Sequence, residues 1–301
     1  VEESGNEADQ AFWTAPLTVS VASAATDISG WARSVGHIDA IWADGEGIPA
    51  HGHIDLLALS AGSRVLVIDP TTLSPVQDQA LVKVLKHSDS HVVHDAKALS
   101  HALAGHGWAM AWPSKDVQLA AYLARPDSKN VEIKEILNRY FNIELPEEEK
   151  KTDALFEIVG SGEIQERIQR CARICYSLPF VWKTLSALLA DNGELDLLTQ
   201  MELPVSRVLA KMEATGIAVD SDELCSQSTQ LGFEVDAARR SALDVIGEDV
   251  NLSSPKQLQR ILFEVLDLPK TKKTKTGYTT NAEALADLRE KTRDSGGPGF
   301  V

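Results

Sequence analysis

Four groups of side chains in this 301-residue chain have types and spacings that could do chemistry. Lys270, Lys272, Lys273 and Lys275 lie within six residues with no acid among them, and Thr274, Thr276, Thr279 and Thr280 are interleaved with or follow them. Ammonium groups and short hydroxyls suit phosphates. They neutralise backbone charge and read little base sequence, so such a loop would bind nucleic acid independently of sequence and lose affinity steeply with salt. Gly277 permits a turn in which backbone amides approach a phosphate closely. From charge alone, a solvated loop whose lysines keep the chain soluble is the better description. The second group, Asp44-Gly45-Glu46, places two carboxylates after an apolar run; by composition it is a polar turn. The third, Cys171 and Cys175, has the i, i+4 spacing that shares a helix face, but no His or Cys neighbour completes a four-ligand zinc site. Buried thiols are the better account. The fourth, His51 and His53 around Gly52, reads as solvated loop histidines. The six tryptophans lack interleaved basic residues and read as packing side chains rather than base-stacking platforms.

The elements that must position these groups follow from hydrophobic periodicity. Leu17–Val21, Ile38–Trp42, Ile54–Leu59 and Arg64–Ile68 are apolar, β-rich runs of strand length, and His91–Val93 is a further short one. Val76–Leu85 is amphipathic. Ile133, Ile136, Leu137, Tyr140 and Phe141 recur at helical spacing, the stripe of a helix packed on a core. Strands followed by flanking helices predict a mixed sheet covered by helices. Further on, Val205, Val208, Leu209 and Met212 predict one apolar helix face, ending at Gly216. Asp220-Ser-Asp-Glu223 has capping-box spacing and opens a helix to about Gly247. Ser254-Pro255-Lys256-Gln257 is a further helix start, with serine as cap, proline in the first turn and glutamine at the reciprocal position. Leu258, Ile261, Leu262 and Val265 supply its stripe.

Composition bounds the rest. A hydrophobic content of 44% and a charged content of 24% describe a globular chain of about two domains. No apolar run reaches about 18 residues, the acidic N-terminus is unlike a secretory signal, and three cysteines make no disulfide framework. These features predict a cytoplasmic protein. Net charge is −15, but residues 252–301 hold 9 Lys/Arg against 6 Asp/Glu and are net positive. A polyanion is repelled by most of the surface and accepted at one end. The Gly/Pro-rich end, Ser295 to Val301, reads as cut rather than finished.

Asn251 to Glu264, Leu268-Pro269 and Lys272 to Thr280, preceded by Glu202 to Asp220, resemble the thumb subdomain of the family A DNA polymerases of bacteria and the stretch leading into it. Residues 15–190 resemble that family's 3′–5′ exonuclease domain through His94-Asp95-Ala-Lys97-Ala-Leu99 and Asp116 to Tyr122. The resemblance implies an α/β, ribonuclease H-like exonuclease fold with a mixed sheet, followed by an incomplete all-helical thumb. The expected division is a flexible leader at 1–14, an exonuclease-like domain at 15–190 and the first part of a polymerase domain at 191–301. The implied partner is primer-template duplex DNA, gripped without regard to sequence by a monomeric, nucleoid-associated protein with no membrane partner. Ser254, Lys256, Gln257, Lys270, Lys272, Lys273, Lys275, Thr276 and Gly277 are the implied contacts. The palm aspartates that hold Mg²⁺ in the family have no equivalent in this sequence. Template-directed synthesis in repair and replication, with its Mg²⁺, is therefore expected of the parent polymerase. This chain alone is expected to be inactive and to bind no cofactor.

The resemblance also recasts Asp44 and Glu46 as a remnant of the exonuclease's Asp-x-Glu metal pair. Two-metal hydrolysis needs about four convergent carboxylates. Leu99 falls where the family has a helical aspartate, and Cys175 where its last carboxylate stands. Two acids are a poor match for Mg²⁺, which dehydrates reluctantly. The domain is accordingly expected to be structural, with no metal site. Two rival classes are a free-standing ribonuclease D-like 3′–5′ exonuclease, which four convergent carboxylates would favour, and a non-catalytic nucleic-acid interaction module.

Overall fold

The apolar runs become strands of one sheet. In the computed structural model, which describes residues 7–87, 90–128, 130–145, 161–274 and 277–293, β1 (Thr18–Val21), β2 (Ala40–Glu46), β3 (His53–Ala61), β4 (Arg64–Ile68), β5 (Val92–Val93) and β6 (Lys115–Asp116) line up in the order β1-β4-β3-β2-β5-β6. The central meander β2-β3-β4 is antiparallel, while β1, β5 and β6 join in parallel. Period-two alternation along β2 sends Ala40 and Trp42 to one face and Ile41 and Ala43 to the other, so the sheet carries a core on each side.

Helices α1 (Glu7–Thr14), α5 (Val117–Ala124), α6 (Ile133–Phe141) and α7 (Ser161–Asp191) cover the first face. Helices α2 (Ile28–Val35), α3 (Pro75–Lys86) and α4 (Ala96–Gly105) cover the second. The stretch 1–14, expected to be a flexible leader, includes α1. The reason is Phe12, which is buried, stacks on Phe180 at 4.7 Å and meets Phe141 edge-on at 5.1 Å. Asp116, fully buried, caps two helices at once. Its carboxylate accepts from the amides of Asp95 and Ala96 at the start of α4 and of Gln118 and Leu119 at the start of α5. Desolvation raises its pKa against the pull of those amides.

The long helix α7 contains Pro179. Proline has no N–H for the carbonyl four residues earlier, that of Cys175. Ser60 Oγ on β3 donates to that carbonyl at 3.4 Å, which accounts for the buried serine of that strand.

The chain forms two compact units, Val1–Gly216 and Ile217–Val301. The division falls later than the expected boundary at 190, and the cause lies in α9 (Leu203–Thr215), which follows the single turn α8 (Leu195–Leu197) and the wider turn Leu198–Glu202. The sequence pointed to Val205, Val208, Leu209 and Met212 as the packed face. In the structure those four are exposed, and the buried residues are Leu203, Ser206 and Ala210. The small-residue face lets α9 lie close against α4, and Glu213 on the same face completes the contact. Its carboxylate accepts from Lys97 Nζ at 2.7 Å and lies 2.9 Å from His101 Nε2.

The hydrogen bonds from Lys97 and His101 hold the Glu213 carboxyl below its ordinary range. A carboxyl depressed in the folded state contributes stability above its unfolded value, about 4.5, and loses it as pH falls through the folded value. Glu213→Gln is therefore expected to lower stability at pH 7 by about 1 kcal/mol or less, since the group is a third exposed. The gap between variant and parent should close in urea titrations below pH 4.5. A gap that persists at low pH would assign the effect to packing.

In the second unit, α10 (Ser221–Ile246) starts at the Asp220 cap, whose side chain accepts from the Glu223 amide at 3.0 Å, and ends at Gly247 in the left-handed conformation. Glu223 does not close a reciprocal box; its carboxylate accepts from Gln227. Helix α11 (Pro255–Arg260) runs into a wider turn at Ile261–Val265, and α12 (Ala282–Thr292) follows. The wider turn shifts the helical phase, so Phe263 is buried and Val265 is exposed, contrary to the expected stripe. An apolar cavity lies between these helices, lined by Ala242, Val245, Leu258, Leu262, Leu285 and Leu288. The expected all-helical character fails at one place. Strands β7 (Lys273–Thr274) and β8 (Gly277–Tyr278) form a small antiparallel hairpin.

Candidate functional site

The basic group is carried by that hairpin. Lys272 and Lys273 are exposed on its first arm, and Lys270 is exposed just before it, with Nζ 5.5 Å from the Tyr278 ring centroid. Tyr278 in turn packs edge-on against Phe263 at 5.3 Å, which roots the hairpin in the helical unit. Lys275 and Thr276 lie outside the described residues. The backbone conformation at Gly277 is one that L side chains rarely adopt (φ 135°), and a Cβ there would collide with the Gln259 amide. Gln259 Oε1 uses that gap to accept from the Tyr278 amide at 3.0 Å. The close approach that Gly277 permits is thus to Gln259.

Two threonines offered as phosphate donors are used internally. Thr274 Oγ1 donates to the Gly277 carbonyl at 2.8 Å, and Thr279 Oγ1 donates to the Lys272 carbonyl at 3.2 Å. Ser254 occupies the cap position of α11 with Pro255 after it, yet its side chain makes no capping bond. Gln257 reaches back past Ser254, and its Oε1 accepts from the Asn251 amide at 2.9 Å. The predicted reciprocal cap is therefore not made: glutamine serves the turn before the helix. Lys256 is exposed at the helix start.

The carboxylate group is built quite differently from the polar turn its composition suggests. Asp44, Gly45 and Glu46 are the last residues of β2, and the pairing with β3 shifts register between Asp44 and Gly45. Asp44 pairs with Leu56 and Gly45 with Ile54, which leaves Asp55 as an extra residue in a β-bulge. The bulge flips the phase of β3, since Ile54 packs in the core on the α4 side while Leu56 packs on the α7 side. Asp55 is thereby re-aimed, and both aspartates meet one partner. Arg167 on α7 reaches Asp44 Oδ2 and Asp55 Oδ2, each at 2.9 Å. Partial burial would lower the guanidinium's pKa, but the two carboxylates raise it. Glu46 is exposed at the strand end.

The other two positions that the resemblance singles out, Leu99 and Cys175, carry no carboxylate. Leu99 is buried with Ile41, Leu57 and Leu59 in the core opposite α7. It helps line a hollow with Ala43, Gly45, Gly47 and Asp95, where a Cβ at Gly47 would collide with the backbone of Ala98. Cys175 lies two turns beyond Arg167 on the same stripe of α7, deep under the sheet. Its thiol donates to the Ala40 and Ala58 carbonyls at 3.4 and 3.3 Å, and burial pushes its pKa up to about 12. Burial likewise raises the Cys171 thiol well above its usual range, with smaller contributions from Cys175 and Asp44. Among the described residues no group of three or more His, Cys, Asp or Glu side chains converges as metal ligands would. The Mg²⁺ pair of a two-metal nuclease does not fit this donor set, because a cation already sits on its carboxylates. Sequence reasoning missed Arg167 and Asp55. Their only advance signal was that a charged residue four before Cys171 continues an otherwise buried stripe.

The histidines flanking Gly52 are exposed. No helix among the described residues is long and apolar enough to cross a membrane.

Residues 221–295 match the sequence profile of DNA polymerase family A. DNA polymerase I of Mycobacterium tuberculosis is 40% identical over 250 residues, covering 82% of this chain and 28% of that protein. The chain thus spans under a third of the length of such curated relatives. The solved POL domain of Pol1 from M. smegmatis, in complex with DNA primer-template and dNTP, superimposes with a TM-score of 0.70 at 33% identity, covering 93% of this chain and 46% of that one. Escherichia coli RNase D, an exoribonuclease, matches with a TM-score of 0.50 at 17% identity over 67% of this chain and 52% of its own, a likeness of fold alone.

Proposed function

Since this chain is homologous to bacterial DNA polymerase I over most of its length and carries the family A match in its second unit, we propose that it is the DNA-holding, non-catalytic part of such a polymerase. The parent activity is template-directed DNA synthesis in repair and replication, and its Mg²⁺ is held outside these 301 residues. The second unit is the beginning of a thumb that grips primer-template duplex along its backbone. The first unit is an exonuclease-like fold retained as a support and not as a proofreader.

The observation that carries the reading is the β7–β8 hairpin, which presents exposed Lys272 and Lys273 on a frame rooted by Tyr278 and Phe263. Its lysines can neutralise phosphates, while Thr274 and Thr279 are occupied in holding the frame, so the contact is electrostatic and reads no bases. Lys256 and the amides at the start of α11 would face the same backbone. The test is duplex binding by fluorescence anisotropy across a salt series, with and without Mg²⁺, on unrelated sequences. Binding that is equal on all sequences, independent of Mg²⁺ and steeply weakened by salt is expected. Failure to bind at low salt would overturn the reading.

A further inference from the structure

We propose that Arg167 is a built-in cation that takes the place of a divalent metal on the Asp44–Asp55 carboxylate pair. The inference rests on the reading of the first unit as a non-trimming nuclease fold and supplies a cause for it. In a two-metal site, carboxylates from strand and helix are held together by ions whose positive charge offsets their repulsion. Here two carboxylates are brought together by a β-bulge, and the charge between them is a guanidinium on α7 with 2.9 Å contacts to each.

Three features argue that this is a substitution of cation rather than an incidental surface pair. The contacts are long-range in sequence, from α7 to both arms of the β2–β3 hairpin, and all three side chains are about two-thirds or more covered. The bulge at Asp55 is needed to put a second acid on the α7 face, and without it Asp55 would alternate to the other side. Arg167 also lies on the same stripe as Cys171 and Cys175, so it continues a buried row whose next members are neutral. An arginine is permanently charged, and here its one terminal nitrogen Nη2 donates to both carboxylates, so a divalent ion cannot share the pair without displacing it. Loss of metal chemistry here follows from occupation of the remaining acids as well as from the absence of acids at Leu99 and Cys175.

The experiment uses the whole chain and Mn²⁺ as the probe. Arg167→Ser is expected to lower Tm, because two like charges are left side by side. About 5 mM Mn²⁺ should then raise the variant's Tm by about 3 °C, as a ligand of sub-millimolar affinity would. Wild type and Arg167→Lys, which keep the cation, should shift by less than about 1 °C under the same conditions. The double variant Asp44→Asn/Arg167→Ser should not respond to Mn²⁺, and electron paramagnetic resonance should detect bound Mn²⁺ only in Arg167→Ser. A destabilised Arg167→Ser with no Mn²⁺ response would overturn the proposal and leave Arg167 as a packing tether. If Arg167→Ser does not fold, the double variant decides: its folding supports the charge account, and its failure assigns Arg167 to packing. Trimming of a labelled 3′ end by the wild type, assayed alongside, would overturn the non-trimming reading itself. An absent Mn²⁺ response without trimming would sink only the role given to Arg167.

Discussion

Replacing Lys270, Lys272, Lys273 and Lys275 together by alanine is expected to weaken duplex binding by about 100-fold at 0.1 M salt and to flatten its salt dependence by about 3 in slope. Each phosphate that is no longer neutralised takes about 0.9 from the slope of log K against log salt, so four equally engaged lysines would account for more. The smaller figure follows from the geometry of Lys270. Its ammonium lies over the Tyr278 ring and is partly engaged within the hairpin, whereas Lys272 and Lys273 are exposed. Lys270→Ala alone should therefore cost less affinity than Lys272→Ala or Lys273→Ala. Circular dichroism of the quadruple variant should be unchanged, because the hairpin is held by Thr274, Thr279 and Gln259 rather than by its lysines. An unchanged salt slope would remove this hairpin from the interface.

Restoring a carboxylate at Cys175 is expected to destabilise the first unit without creating a nuclease. Cys175→Asp should cost about 3–5 kcal/mol in urea unfolding, the range for an uncompensated buried charge. The thiol sits against the carbonyls of Ala40 and Ala58 and donates to both, and an ionised carboxylate can only repel them. The environment's hostility to negative charge is already visible in the thiol, whose pKa burial raises to about 12. The position also lies two turns from Arg167, the residue that meets Asp44, so the new acid would not reach the remnant pair. A stable Cys175→Asp that trims DNA would mean that α7 is placed differently against β2.

Local patterns predicted local structure well. The strand Arg64–Ile68 and the helix beginning at Ile133 follow from apolar spacing alone, and Gly216 and Gly247 both end their helices at positive φ. What periodicity could not decide was which of two possible faces packs. On α9 the larger apolar residues point outward, because the small face with Ser206, Ala210 and Glu213 fits α4 and finds charged partners there. That choice depends on Lys97 and His101, more than a hundred positions away. Phase errors came from irregular backbone. The β-bulge at Asp55 and the wide turn at Ile261–Val265 each shift a stripe by a residue, and neither has a local signature in the sequence. The basic hairpin was legible as a cluster of charge. The role of Arg167 was not, because two aspartates and an arginine scattered over positions 44 to 167 become one group only when the sheet and α7 close.

The division of labour between an inert exonuclease-like support and a duplex-holding unit is tested most directly by incubating the chain with a primer labelled away from its 3′ end. Mg²⁺ or Mn²⁺ is present, and product length is read on a sequencing gel. The account predicts primer of unchanged length at every time point. Metal-dependent shortening that disappears in Asp44→Ala would contradict it, and would place a working metal site where Arg167 now sits.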